Sequence, residues 1–268
     1  MTRTIDTDSD QNIAHFRAHG WMRVPQAFGA EAAAAMRDAV WRVLAEAGID
    51  RDRRATWTVE RPPHLQKLKN DPVFRAVGSD RLLAAIDAVF EGRLHDIPKD
   101  WGAHFVAFPG DMEWNIPTGG WHIDARPTGA LWPVTGVKTF ALLGDVEPHG
   151  GGTLMVSGSH RLVHRWFQDN PPPPSARNAE LRKLLMAHPY VRDLHAPGDR
   201  DERIARFMDR AEEVDGIPLR VVETIGAAGD VFLVHPLVMH VASTNKAAAP
   251  RFLLSGGITT DMWGWGPG

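Results

Sequence analysis

Apolar positions along this 268-residue chain change their period part-way through. In the first hundred residues they mostly follow the helical repeat. Residues 29–47 form an Ala-rich run with Met36, Val40, Val43 and Leu44 on one face and Gly48 at its end, which predicts a helix. Ser79 or Asp80 can cap a second helix running to about Phe90, with Gly92 as its stop. Ile13 to His19 reads as a short helix ended by Gly20, and Trp21 to Pro25 alternates as a strand. Ile49 to Pro63 is charged and irregular, and residues 1–12 are polar enough to predict disorder.

From Trp101 the repeat shortens. Runs at 101–108, 120–124, 135–143, 152–156, 219–224, 230–235, 239–243 and 251–260 are β-prone and separated by Gly and Pro. Many short strands at this spacing predict a sandwich or barrel. Residues 161–215 interrupt them with a run beginning at Pro171 and two helical patterns, near 176–187 and 200–213. An insertion of that length between strands suggests a lid or binding element. No repeat or linker divides the chain, so residues 1–268 read as a single domain, mainly β with flanking helices.

Composition narrows the function classes. The chain has no cysteine, which excludes a disulfide framework, a thiolate metal site and a cysteine nucleophile. A net charge of −3 without a basic block gives no sign of nucleic-acid binding. The polar N-terminus has no signal-peptide core, and no long apolar run predicts a membrane span, so a cytoplasmic location is the default. Trp114, Trp121 and Trp132 cluster in sequence near the candidate site and suggest an aromatic-lined pocket, although core filling would explain them as well.

Trp121-His122-Ile123-Asp124 places an imidazole and a carboxylate two residues apart, on one face if the segment is extended. Chance alone gives about one His-x-Asp pair at this composition, so context must carry it. A second histidine would make the 2-His-1-carboxylate set of a non-heme Fe(II) oxygenase. His235 and His240 compete for that role, and spacing does not choose between them. Arg251 opens an apolar run and needs a partner if buried. Gly150-Gly151-Gly152-Thr153 lacks the Lys-Ser/Thr of a phosphate loop and reads as a tight turn. Ser159 beside His160 lacks the Gly-x-Ser-x-Gly elbow of a hydrolase.

Taken together these segments resemble the phytanoyl-CoA dioxygenase-like family of Fe(II)/2-oxoglutarate oxygenases. Trp121-His122-Ile123-Asp124 is similar to the family's W-H-x-D. Gly151 through Arg161 is similar to its N-G-x-L-x-x-x-P-G-S-H-K/R segment, with Ser157 where the family usually has Pro. Gly229-Asp230-Val231 running into His240, then Asn245 and Pro250-Arg251, complete the order. The resemblance covers most of the chain outside 161–215. It implies a double-stranded β-helix (jelly-roll, cupin-like) core with N-terminal helices and a helical insertion at about 161–215.

The resemblance also chooses His240 over His235. It implies that His122, Asp124 and His240 bind Fe(II), that Arg251 holds the distal carboxylate of 2-oxoglutarate, and that Thr139 lines the cosubstrate. With O₂, such a site hydroxylates or otherwise oxidises a C–H bond. Asp124 stands where related halogenases have a small residue, which favours hydroxylation-type chemistry. No basic patch for a nucleotide is evident, so a small molecule of secondary metabolism fits at least as well as an acyl-CoA. Residues 161–215, with Trp263 and Trp265, are the candidate substrate cover. The alternatives are a cupin-like metalloenzyme that does not use 2-oxoglutarate and a non-catalytic jelly-roll binding module.

Overall fold

A computed structural model describes residues 7–260, except 59–61, 94, 96, 127–129 and 174. Trp263 and Trp265 lie outside the described residues. So do residues 1–6 of the N-terminal stretch expected to be disordered; from Thr7 onward that stretch is instead the start of helix α1, Thr7–His19.

The N-terminal helices follow the apolar repeat. Helix α2 is Ala30–Glu46, with Ala33, Met36, Val40, Val43 and Leu44 buried. Helix α3, Asp80–Val89, is capped by the Ser79 side chain, which accepts from the Leu82 amide, and buries Leu82, Ile86 and Val89. Both pack on the outer face of a five-stranded antiparallel sheet through one cluster that includes Val137, Ala141, Leu233, Phe252 and Leu254. Each fully buried Leu or Phe there contributes on the order of 2 kcal/mol.

That sheet has the order β1-β7-β3-β9-β2, formed by Trp21–Val24, Val231–Val234, Gly136–Leu142, Arg251–Thr259 and Ala103–Ala107. A second sheet has the order β5-β6-β4-β8, from Glu212–Val214, Ile217–Glu223, Leu154–Ser157 and His240–Val241. The two meet over an interior cluster that joins Phe140, Leu142, Phe232, Val234 and Leu253 of the first sheet to Met155 of the second. These antiparallel sheets with flanking helices form the jelly-roll of the cupin-like folds.

Alternation along β3 assigns its faces. Val137 and Ala141 point to the helices, whereas Phe140 and Leu142 point to the interior. Gly229 makes the turn into β7. Its φ is 98°, and an added Cβ would lie 2.2 Å from the Phe28 carbonyl oxygen, so the position requires glycine.

The insertion departs from the two helices expected. Among the described residues it holds four: α4 Ser159–Asp169, α5 Asn178–Leu185, α6 Pro189–His195 and α7 Arg200–Ile204. The pattern at 200–213 ends early, in a π-helical turn at Ala205–Asp209, and the chain then enters β5. Asp215 and Gly216, both at positive φ (51° and 71°), turn it into β6 as an Asp-Gly hairpin does. The helices bury Leu162, Phe167, Leu181, Leu194 and Phe207 against Leu154, Val156, Leu219 and Val221 on the outer face of the second sheet. The buried Arg203 guanidinium ties α6 and α7 to the segment before Trp121 by donating to the carbonyls of Ala196, Leu194 and Ile116. Among the described residues, no helix is long and apolar enough to cross a membrane.

Candidate metal centre

The expected strand at 120–124 is not a strand. His122 forms a single isolated bridge with His240, in which each amide donates to the other's carbonyl at 3.1 and 3.0 Å. The Asp124 amide donates to the Pro236 carbonyl at 2.9 Å. Two residues at each end of a long chain separation are thereby fixed against one another. Behind this link, the buried Ser159 hydroxyl accepts from the Met239 amide at 2.9 Å. Ser159 therefore supports the His240 strand, and its neighbour His160 faces the Arg17 carbonyl at 3.1 Å. The Gly-Ser-His segment, which lacks a hydrolase elbow, thus has a supporting role here.

His122, Asp124 and His240 bring one ligand atom each within 4.8 Å of one another. His122 Nδ1 faces the Gly120 carbonyl at 2.8 Å, and His240 Nδ1 faces the Val238 carbonyl at 3.0 Å. Each Nδ1 must carry its proton to make that bond, which leaves the lone pair on Nε2. Both Nε2 atoms turn toward the carboxylate: His122 Nε2 is 3.8 Å from Asp124 Oδ1, and His240 Nε2 is 3.5 Å from Asp124 Oδ2. Two lone pairs and an anion facing one point cannot satisfy each other. A divalent cation about 2.1 Å from each can satisfy all three.

Burial holds the His240 imidazole down to about 4, so it is neutral and able to ligate at neutral pH. Burial pushes the Asp124 carboxyl up, but His240, Lys138 and His122 outweigh that and lower it on balance. His235, the competing ligand, points elsewhere. Its Nδ1 accepts from the Leu237 amide, and its ring lies 5.2 Å from that of His160.

Lys138 was not singled out in the sequence. It lies on the interior face of β3, with Nζ 3.1 Å from Asp124 Oδ2. Thr139, the expected cosubstrate residue, is one step along the same strand and so points the other way. It is buried between Val137 and Ala141 on the helix side, opposite Leu233. That placement corrects the expectation: a strand's faces alternate with every residue.

Arg251 lies at the start of β9, and its side chain is buried. Nε donates to the Gly151 carbonyl at 2.8 Å and Nη1 to that of Phe105 at 3.4 Å. Burial pulls its pKa down to about 10, which leaves it charged at neutral pH. Among the described residues no carboxylate pairs with it, so the remaining N–H groups are suited to an incoming carboxylate. The turn that offers the Gly151 carbonyl is held by Glu223, which accepts from the His149 and Gly152 amides. Asn245 braces the approach to β9 through the carbonyls of Ala107 and Ala249.

A cavity of about 90 Å³ adjoins the triad, walled by Trp121, His122, Ile123 and Asp124 on one side and by Leu181, Arg182 and Leu185 of α5 on the other. Of the three clustered tryptophans only Trp121 lines it. Trp114 stacks on His149, and Trp132 packs against Phe16 and His235.

Comparison with known proteins adds to this geometry. A family profile described as phytanoyl-CoA dioxygenase matches residues 16–253. No curated protein matches the chain. Among solved structures, the epimerase SnoN in complex with Fe³⁺, alpha-ketoglutarate and nogalamycin RO is similar at a TM-score of 0.56 and 18% identity, over 94% of this chain and 84% of that one. AviO1 from Streptomyces viridochromogenes Tue57 is similar at 0.54 and 18%, over 97% and 98%. HygX from Streptomyces hygroscopicus with iron bound is similar at 0.51 and 19%, over 98% and 88%. At these identities the likeness establishes the fold.

Proposed function

The chain belongs to the phytanoyl-CoA dioxygenase family of Fe(II)- and 2-oxoglutarate-dependent oxygenases, and from that premise we propose that His122, Asp124 and His240 hold the iron and that Arg251 anchors 2-oxoglutarate. The observation that carries the assignment is the convergence of two Nε2 lone pairs and one carboxylate within 4.8 Å. Three protein ligands on one face of a metal leave further positions open for cosubstrate and oxygen. When bound, the iron with 2-oxoglutarate and O₂ supplies the oxidising power for a substrate C–H bond, with succinate and carbon dioxide as the other products.

The chain's own residues do the rest. The Gly120 and Val238 carbonyls hold the two imidazoles in the ligating tautomer. Arg251, held by two carbonyls, fixes the orientation of the cosubstrate through its distal carboxylate. Phe140, whose ring centroid is 5.4 Å from that of His240, keeps water from that side of the metal. Helix α5 covers the cavity beside the triad and is the element best placed to meet a substrate.

The substrate is a small organic molecule of the kind made in secondary metabolism, oxidised by hydroxylation or a related C–H oxidation. Support comes from the apolar walls of the cavity beside the triad and from the SnoN complex, in which nogalamycin RO is bound alongside alpha-ketoglutarate. The test is iron-dependent succinate formation, measured across a metabolite panel in the wild-type protein and in His122→Ala, Asp124→Ala and His240→Ala. Succinate release in the wild type alone supports the assignment. Full turnover in any of the three variants refutes it. A metal-dependent oxidation that proceeds without 2-oxoglutarate would instead assign the role of a cupin-like metalloenzyme.

A further inference from the structure

Two cations enter the interior from opposite ends of the first sheet. Arg251 pairs in register with Ala107, and Lys138 pairs with Gly257, six positions further along β9. At about 3.3 Å per residue, those places are about 20 Å apart along the strand. Phe140, in register with Ser255 between them, meets the His240 ring. The triad therefore lies between the guanidinium and the ammonium, close to the ammonium, whose Nζ is 3.1 Å from Asp124 Oδ2.

Charge does not balance at this place once the site is loaded. A divalent metal, Lys138 and Arg251 are opposed by Asp124 and the two carboxylates of 2-oxoglutarate, which leaves one positive charge over. An uncompensated charge in a largely buried site is costly. Among the described residues, Asp124 is the one ion-pair partner of Lys138, and the metal competes for that carboxylate. Lys138 stands behind Asp124, which lines the cavity, with about a fifth of its side chain exposed, and the exposed Arg182 of α5 lies on the opposite wall beside Leu181 and Leu185. The cavity thus offers apolar walls next to a centre that, once loaded, carries the uncompensated positive charge.

We propose that Lys138 is a specificity-determining residue that selects substrates bearing a carboxylate, held by its ammonium on the side of the metal away from Arg251. This rests on the metal centre proposed above. A carboxylate there restores the missing negative charge and accepts an ion-paired hydrogen bond, whereas the matching amide accepts a weaker bond and adds no charge.

The test uses the full chain loaded with Zn(II) and saturated with 2-oxoglutarate, which does not turn over. Benzoate and benzamide are titrated into it by calorimetry, in the wild-type protein, in Lys138→Gln and in Arg182→Gln. Benzoate is expected to bind the wild type at least about tenfold more tightly than benzamide. That preference disappears in Lys138→Gln and weakens in Arg182→Gln, while neither variant loses affinity for Zn(II) or 2-oxoglutarate. An equal preference in wild type and Lys138→Gln, including no benzoate binding by either, overturns the proposal. A loss of Zn(II) or 2-oxoglutarate affinity in Lys138→Gln also overturns it and assigns Lys138 to Asp124 or to the cosubstrate. A wild-type chain that takes up neither Zn(II) nor 2-oxoglutarate removes the metal-centre reading itself.

Discussion

Which nitrogen of an imidazole offers its lone pair to a metal is set by the hydrogen bond that the other one makes, and in both ligand histidines Nδ1 faces a carbonyl two residues back in the chain. Replacing His240 or Asp124 by alanine is expected to abolish metal uptake, read by calorimetry with Mn(II). Arg251→Gln is expected to raise the Kd for 2-oxoglutarate at least about tenfold, since a charge-assisted pair contributes roughly 1.5–3 kcal/mol, while metal uptake persists. An unchanged Kd would mean that another group anchors the cosubstrate. Thr139→Val is expected to leave that Kd unchanged, because Thr139 is buried on the helix side of β3. These residues also show what one dimension reveals. His-x-Asp, the second histidine and the arginine could be placed by the order of their motifs. Which of Lys138 and Thr139 faces the metal could not, because β3 is covered on both faces and nearly every position in it is buried, so no polar alternation marks the phase.

At the scale of elements, α2 and α3 were legible because each carries an apolar stripe and a stop signal. The segment 120–124 was not, since a single bridge with β-like composition has the local pattern of a strand without a ladder. Helix α4 was missed for a related reason: it begins directly at the end of β4, and its Gly158 at a φ of 86° reads as a turn. Ser159 at its start links this helix to the His240 strand, so Ser159→Ala is expected to cost about 1–3 kcal/mol for the stranded Met239 amide, measured by urea denaturation. The adjacent His160 makes α4 acid-sensitive. Burial holds its pKa at about 4, with Arg161, His19 and His164 opposing its protonation and the Arg17 carbonyl favouring it. The unfolded chain takes up that proton near pH 6.5. Stability is therefore full above about pH 6.5 and falls as pH drops toward about 4, by on the order of 3 kcal/mol from this residue. Urea midpoints across that range should fall in the wild type and flatten in His160→Gln.

For the whole molecule, the metal site joins the middle of the chain to its C-terminal strands, so occupancy and folding are linked. A cation present at about a hundred times its Kd is expected to add roughly 3 kcal/mol, seen as a rise in Tm of several degrees. The three triad variants should show no such rise, and an equal rise in them would place the bound metal elsewhere. The layered arrangement explains why a sandwich or barrel with a helical insertion could be anticipated while the number and bounds of the helices in that insertion could not. Sheet strands repeat a two-residue pattern, whereas α4–α7 owe their places to contacts such as Arg203 with Ile116, made across long sequence separations.

The reciprocal amide pairing of residues 122 and 240 has one more consequence. Because the two imidazoles hang from a link completed during folding, little chain entropy remains to be lost when an ion arrives, and affinity then depends mainly on inner-sphere chemistry. A one-residue insertion between Asp124 and Pro236 should be tolerated within the exposed parts of the helical insertion. The same insertion beside residue 122 would shift the imidazole out of phase and forfeit the ion.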